Sequence, residues 1–313
     1  MRLLALACLA SFPTIPADAQ NSQDAILARV AEEAEEFQQN MPKALTQESL
    51  EQRSVMPPSR FKPRVGTAAA EAPKIRLRVR EIVSEYSVAG LQDSESRDLV
   101  EFRQVISVDG RRIQTPEGAR RALSLGMQSA DDRMRKHMLE EFAKFGLVDI
   151  ATDYGLILLA FSKRGMENME CRPMGESRVG ADSVSVLAWK QTTAAGGELE
   201  FHGRQATHRA LAGRLWVRQS DGLPLRVDAW AESVDAARHK IRDEGTVDYV
   251  RSSHGFLTPA SVVHRHFVDG KVMTENLYHY EPFKLFTSDA EIKFTELSDD
   301  PAAAPPPPPA KKR

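Results

Sequence analysis

The dipeptide Asp-Gly stands three times between runs of alternating apolar and polar residues, at Asp109-Gly110, Asp221-Gly222 and Asp269-Gly270. Both residues tolerate the positive φ angles of a tight hairpin turn, so each pair marks a place where a strand reverses on its neighbour. Val100, Phe102, Ile106 and Val108 alternate up to the first turn, and residues 111–113 begin the return. Leu215 and Val217 lead through the second to Leu223, Leu225, Val227 and Ala229. Val263 and Phe267 lead through the third to Val272, Tyr278 and Tyr280. A chain punctuated this way is constrained to an antiparallel meander.

Upstream, Ile75, Leu77 and Val79 alternate with Arg76, Arg78 and Arg80 before the apolar phase switches to Ile82, Tyr86 and Val88. A strand that changes its buried face in this way bends or carries a bulge. Between the two sets of strands lies a helical insert at about 115–165. Thr115 caps its start with Pro116 at the first helical position, and it reopens at Ser129 with Asp131 and Asp132 in the first turn. Met134, Met138, Phe142 and Phe145 form its apolar stripe and Gly146 ends it. Residues 156–161 are apolar on every side and predict a buried helical turn. Strands on both sides of a helical interval define an α+β fold, with helices covering a curved antiparallel sheet.

The ends carry other information. Residues 1–19 have the form of a secretory signal, with Arg2, an apolar run over 3–12 and a small-x-small site at Ala17-Asp18-Ala19. Cys8 offers a rival lipoprotein pattern, but the apolar run before it is too short. The expected location is therefore periplasmic or secreted, and with Cys171 alone left after cleavage no internal disulfide forms. Residues 20–72 read as an N-terminal arm: an amphipathic helix with Ile26, Val30, Ala34 and Phe37 on one face, then a segment rich in proline and basic residues. The main domain is expected over 73–296. Residues 297–313, with five consecutive prolines and Lys311-Lys312-Arg313, read as a disordered tail.

A formal net charge of −2 gives no pull toward nucleic acid, and no run beyond the signal approaches the roughly 18–20 apolar residues that span a bilayer. The absence of H-E-x-x-H, a glycine-rich phosphate loop and C-x-x-C removes the common metalloprotease, nucleotide and redox classes, and no cofactor is implied. Residues 175–180 superficially follow a nucleophile elbow, yet the second glycine falls one residue late, and the segment reads as a loop. Cys171 has no implied base beside it and reads as an inert thiol.

Gly213-Arg214-Leu215-Trp216-Val217, Asp221-Gly222-Leu223-Pro224-Leu225-Arg226, Val247-Asp248-Tyr249, Gly255-Phe256-Leu257-Thr258-Pro259 and Tyr280-Glu281-Pro282-Phe283 punctuate residues 175–294. In these motifs the chain resembles the LolA-like superfamily of outer-membrane lipoprotein-sorting carriers and related exported bacterial proteins. The resemblance implies an open half-barrel with helices in its concave face, enclosing an apolar cavity that accepts acyl chains. The long arm, the helical insert and the proline tail depart from the carrier pattern.

On that basis Met127, Met134, Met138, Phe142, Trp216 and Phe267 are candidates to line a cavity for a lipid or acyl ligand, since flexible thioethers and aromatic rings suit variable apolar partners. Core packing explains the same stripe, as it does for Trp230 and Phe201. His264 and His266 share one face of a strand, and a two-residue turn at Asp269-Gly270 would set Glu275 opposite His264 and Met273 opposite His266. That trio is a candidate divalent-metal site; a plain cross-strand pair is the alternative. Two functions follow: an exported protein that is not an enzyme and binds an apolar ligand in a half-barrel, or an envelope interaction or sensor module with a self-filled core, which contacts a protein partner through the arm or tail.

Overall fold

The structure, a computed structural model, describes residues 17–56, 76–90, 99–128, 132–150, 153–193, 198–202 and 205–286. Helix α1 (Ala17–Asn40) leads through a short 3-10 turn into β1 (Ala44–Met56). Strands β2 (Arg76–Gly90), β3 (Leu99–Val108) and the two-residue β4 (Arg111–Arg112) follow, then α2 (Pro116–Gln128) and α3 (Asp132–Lys144). A 3-10 segment (Tyr154–Phe161) and the single turn α4 (Lys163–Met166) lead to β5 (Met169–Val179) and β6 (Asp182–Gln191). A separate hairpin, β7 (Glu198–His202) with β8 (Gln205–Arg209), precedes the meander β9 (Ala212–Arg218), β10 (Pro224–Val234), β11 (Lys240–Arg251), β12 (Leu257–Val268) and β13 (Lys271–Tyr280). The short β14 (Lys284–Leu285) closes the described chain.

Twelve strands form one open sheet in the order β4-β3-β2-β1-β13-β12-β11-β10-β9-β6-β5, with β14 beside the start of β1. The pairs are antiparallel, and the two ends do not meet, so the sheet curves without closing. This is the expected α+β half-barrel. At Asp109-Gly110 and Asp269-Gly270 both residues take positive φ, between 49° and 75°, as a two-residue hairpin requires. At Asp221-Gly222 only Gly222 does, because the turn there is longer. The expected bulge in β2 is not there: β2 runs in unbroken register with β1, Leu77 and Val79 are exposed, and the register shift between Val83 and Ser84 comes from an extra residue, Ile106, in β3.

The strand β1 corrects the expected arm. Residues 44–56 lie in the middle of the sheet, paired with β2 on one side and β13 on the other. The domain therefore begins with α1, well before residue 73. The buried face of β1 carries Thr46, Glu48, Gln52 and Ser54 beside Leu50, so hydrophobic alternation is weak there even though these side chains are all nearly inaccessible. Residues 175–179 are likewise strand and not loop: they end β5, where a register shift between Pro173 and Gly175 and a φ of 116° at Gly175 mark a bulge. The proline-rich segment 57–75 and the tail lie outside the described residues.

The main core sits on the concave face. Val30, Ala34 and Phe37 of α1, Met138 and Phe142 of α3, and Leu156, Leu158 and Phe161 of the 3-10 segment pack there against Leu50, Leu215, Val227, Val247 and Val262 of the sheet. Helix α2 is different. Leu123 and Met127 join Ala89, Val100 and Phe102 in a second cluster on the other face of β2 and β3, so α2 and α3 clasp the β3 end of the sheet between them.

Candidate binding face

One cross-strand row runs across the concave face, in the order Trp189, Gly213, Ala229, Gly245, His264, Asn276 and Gln52. Its middle is small, and the 3-10 segment fills it: a Cβ on Gly245 would lie 2.2 Å from the Tyr154 ring. Phe161 meets Trp189 edge to face with centroids 5.4 Å apart, and Tyr249 accepts from the Leu158 amide while donating to Gly155 O, both near 3.0 Å. Beside the segment, α1 lays Phe37 on Tyr249 at 6.0 Å. Buried Glu33 of α1 is held by Arg29 and by Arg251 of β11. Among the described residues, the middle of the concave face is thus covered by the chain's own side chains. A small cleft between α2 and α3, lined by Phe102, Arg103, Leu123, Gly126, Met138 and Glu141, offers little more room than a water molecule needs.

Two polar groups are buried under this cover. In the first, Arg103 of β3 donates from Nε to Glu48 Oε1 at 2.7 Å and from Nη2 to Glu48 Oε2 and Glu101 Oε2, both at 2.8 Å. Its guanidinium stacks over the Tyr86 and Tyr278 rings. Tyr86 donates to Glu101, and the Asp153 amide donates to the same carboxylate, which ties the start of the 3-10 segment to the sheet. Burial pushes the Glu48 carboxyl up against the pull of Arg103, because two carboxylates share one cation away from water.

The second group is a chain of hydrogen bonds along the row itself. Gln52 accepts the Val148 amide at 3.0 Å and donates to Val148 O and to Asn276 Oδ1, both at 2.7 Å. Asn276 Nδ2 donates to Asp149 O at 2.8 Å and faces His264 Nδ1 at 3.1 Å. His264 Nε2 lies 3.6 Å from Asp243 Oδ1, and His266 Nδ1 lies 2.6 Å from the same oxygen. Burial alone would raise the Asp243 carboxyl, but hydrogen bonds from the two histidines hold it well below the usual range.

This geometry corrects the metal trio. Met273 is an extra residue in β13, so the register shifts after the turn: His264 faces Asn276, His266 faces Thr274, and Glu275 faces Arg265. Glu275 therefore points away from both histidines, toward Arg265 at 2.8 Å and Arg53 at 3.4 Å. Among the described residues no group of three His, Cys, Asp or Glu side chains is arranged to hold a metal.

Five of the six cavity candidates are split between the two faces of the sheet. Met138 and Phe142 are in the concave core, while Met127 packs with the outer cluster. Trp216 alternates with buried Leu215 and Val217, faces the outer side and carries Arg214 over its ring at 5.0 Å. Phe267 alternates in the same way with His264 and His266. Met134 lies in α3, but its side chain falls outside the described residues, as does that of Phe201. Spacing could not find Arg103, Glu48, Tyr154 or Asp243, since their partners come from distant strands.

No protein-family model matches the chain, and no curated protein matches it. Among solved structures it is similar to a DUF1329 family protein from Desulfovibrio piger, at 12% identity over 88% of this chain and 98% of that one with a TM-score of 0.35. It is similar also to a LolA superfamily protein from Nitrosomonas europaea, at 12% identity over 86% and 96% with a TM-score of 0.28. Likeness at this level carries no argument, and the open antiparallel sheet rests on the strand register above. No helix of the described residues is long and apolar enough to cross a membrane.

Proposed function

We propose that this chain is an exported, non-catalytic protein of the cell envelope that acts as an interaction or sensor module, with the concave face of its half-barrel filled by its own residues. The observation that supports this is the 3-10 segment, in which Tyr154, Leu156, Ile157, Leu158 and Phe161 are all buried. Contact with a protein partner then falls to the basic stretch within 57–73 and to the proline tail, whose composition suits recognition as an extended polyproline helix.

The same segment favours a second reading, binding of an acyl chain by exchange. Five large side chains bury roughly 8–15 kcal/mol at about 1.5–3 each, and a sixteen-carbon chain buries roughly 12 at about 0.8 per methylene. The two occupants are therefore close in burial energy, and the 3-10 hydrogen bonds that hold the segment are of poorer geometry than α-helical ones. Native mass spectrometry of the chain purified from a bacterial periplasm, before and after addition of palmitate and phosphatidylglycerol, separates the readings. The self-filled module gives the bare mass in both cases. A stoichiometric lipid adduct overturns it in favour of exchange.

A further inference from the structure

The hydrogen-bond chain through Gln52 has only one consistent direction. Val148 donates its amide to Gln52 Oε1, so Gln52 Nε2 is the donor to Val148 O and to Asn276 Oδ1. Asn276 must then present its amide nitrogen to both Asp149 O and His264 Nδ1. His264 Nδ1 is left as an acceptor, so its one proton sits on Nε2, which faces Asp243. Protonation of this ring would place a second N–H against the Asn276 amide.

What the chain holds in place is the exit from α3. Asp149, at φ 44°, and Asp153, at φ 69°, are both non-glycine residues in the left-handed region, and such conformations persist only where the surroundings enforce them. The enforcing contacts at Asp149 are the Asn276 amide and the Thr274 hydroxyl, which donates to Asp149 Oδ2 at 2.9 Å. The Tyr154 ring, first residue of the 3-10 segment, lies 5.0 Å from the His264 ring. The titratable groups facing His264 are Asp243 from β11, His266 from its own strand, Asp149 from the α3 exit and Tyr154 from above.

We propose that His264 is a proton-operated latch on the helical cover: neutral, it accepts from Asn276 and keeps residues 147–150 and the 3-10 segment on the sheet, and protonated, with Asp243 as counter-ion, it breaks that chain and frees them. A proton on His264 Nδ1 meets the Asn276 amide and finds no acceptor in the closed arrangement, so acidification shifts the balance toward opening. This would let the protein expose its concave face in response to pH without any change in the meander.

Hydrogen exchange at pH 7.5 and 5.5, corrected for intrinsic rates, tests the latch on the full chain. Protection of residues 147–150 and 153–161 is expected to fall at least ten-fold at the lower pH, while β9 and β10 stay protected. His264→Gln keeps an acceptor for Asn276 and cannot titrate, so its protection should not depend on pH; His266→Gln should respond like the unmodified chain. Equal protection at both pH values, a response that survives His264→Gln, or one abolished by His266→Gln overturns the proposal. If His264→Gln does not fold, nitrogen NMR of the unmodified chain decides: a proton on His264 Nδ1 at pH 7.5 overturns it, and one on Nε2 supports it.

Discussion

Gly245 lies directly beneath the ring of Tyr154, with a Cβ at that position only 2.2 Å from Tyr154 Cδ1. Gly245→Ala should therefore push the ring off the sheet and cost about 1–3 kcal/mol of stability, against the few tenths that reduced chain entropy returns. Urea denaturation of Gly245→Ala, Tyr154→Ala and the double variant checks this. The glycine substitution should cost much less once the ring is gone, since the two positions meet only through that contact.

Arg103→Met should leave Glu48 and Glu101 buried without their cation and cost about 3–5 kcal/mol at pH 7. A carboxyl raised in the folded state contributes stability that is present below its unfolded value and lost as pH rises through its folded one. Burial already raises Glu48, and the variant loses the cation that opposes the rise. The deficit should accordingly shrink toward pH 4.5, and Glu48→Gln in the same chain should recover part of it at pH 7.

Asp243 behaves in the opposite sense. Its folded carboxyl is held low, so its contribution is present above the ordinary aspartate value near 3.9 and disappears as pH falls below it. Asp243→Asn is expected to lower stability at pH 6 and to flatten the acid limb below pH 4, as followed by denaturation midpoints at pH 6, 4 and 3.

Cys171 should be a slow thiol. Burial pushes it up to about 11, so its thiolate fraction at pH 7.5 falls on the order of a hundred-fold below that of an ordinary cysteine near 8.5–9. Alkylation by iodoacetamide, timed against glutathione, checks the difference, and 2 M urea should leave it in place unless the β5 edge opens first.

Truncating the two ends of the helical insert should separate core from periphery. Phe142→Ala, on the concave face, is expected to cost about 3–5 kcal/mol, and Met127→Ala, partly buried on the outer side, clearly less. Thermal unfolding of the two variants gives the comparison directly.

The hairpins were legible because their turns need Asp-Gly at fixed places and their faces alternate. The helical insert was legible from its stripe and its caps. Strand β1 was not, because its buried face is built from Thr46, Glu48, Gln52 and Ser54, whose burial makes sense only beside Arg103 and Asn276 on other strands. The histidine pair was correctly placed on one face, but a single extra residue at Met273 moved Glu275 to the other side. Only Lys271 and Val272 lie between the turn and that residue, too few for a change of phase to show in the alternation. The apolar run 156–161 was legible as a buried helical turn, yet its seat on Gly245 lies nearly ninety residues away in sequence and carries no local signal.

The strand made first is also the strand that waits longest. Gln52 of β1 and Asn276 of β13 are 224 residues apart, so the centre of the sheet cannot zip until almost all the polypeptide exists. At about 5–20 residues per second that is a delay of roughly 10–45 s, during which β1 has β2 on one side and an open edge on the other. A chain built in this order can form the β1–β2 ribbon early, and its central seam comes last.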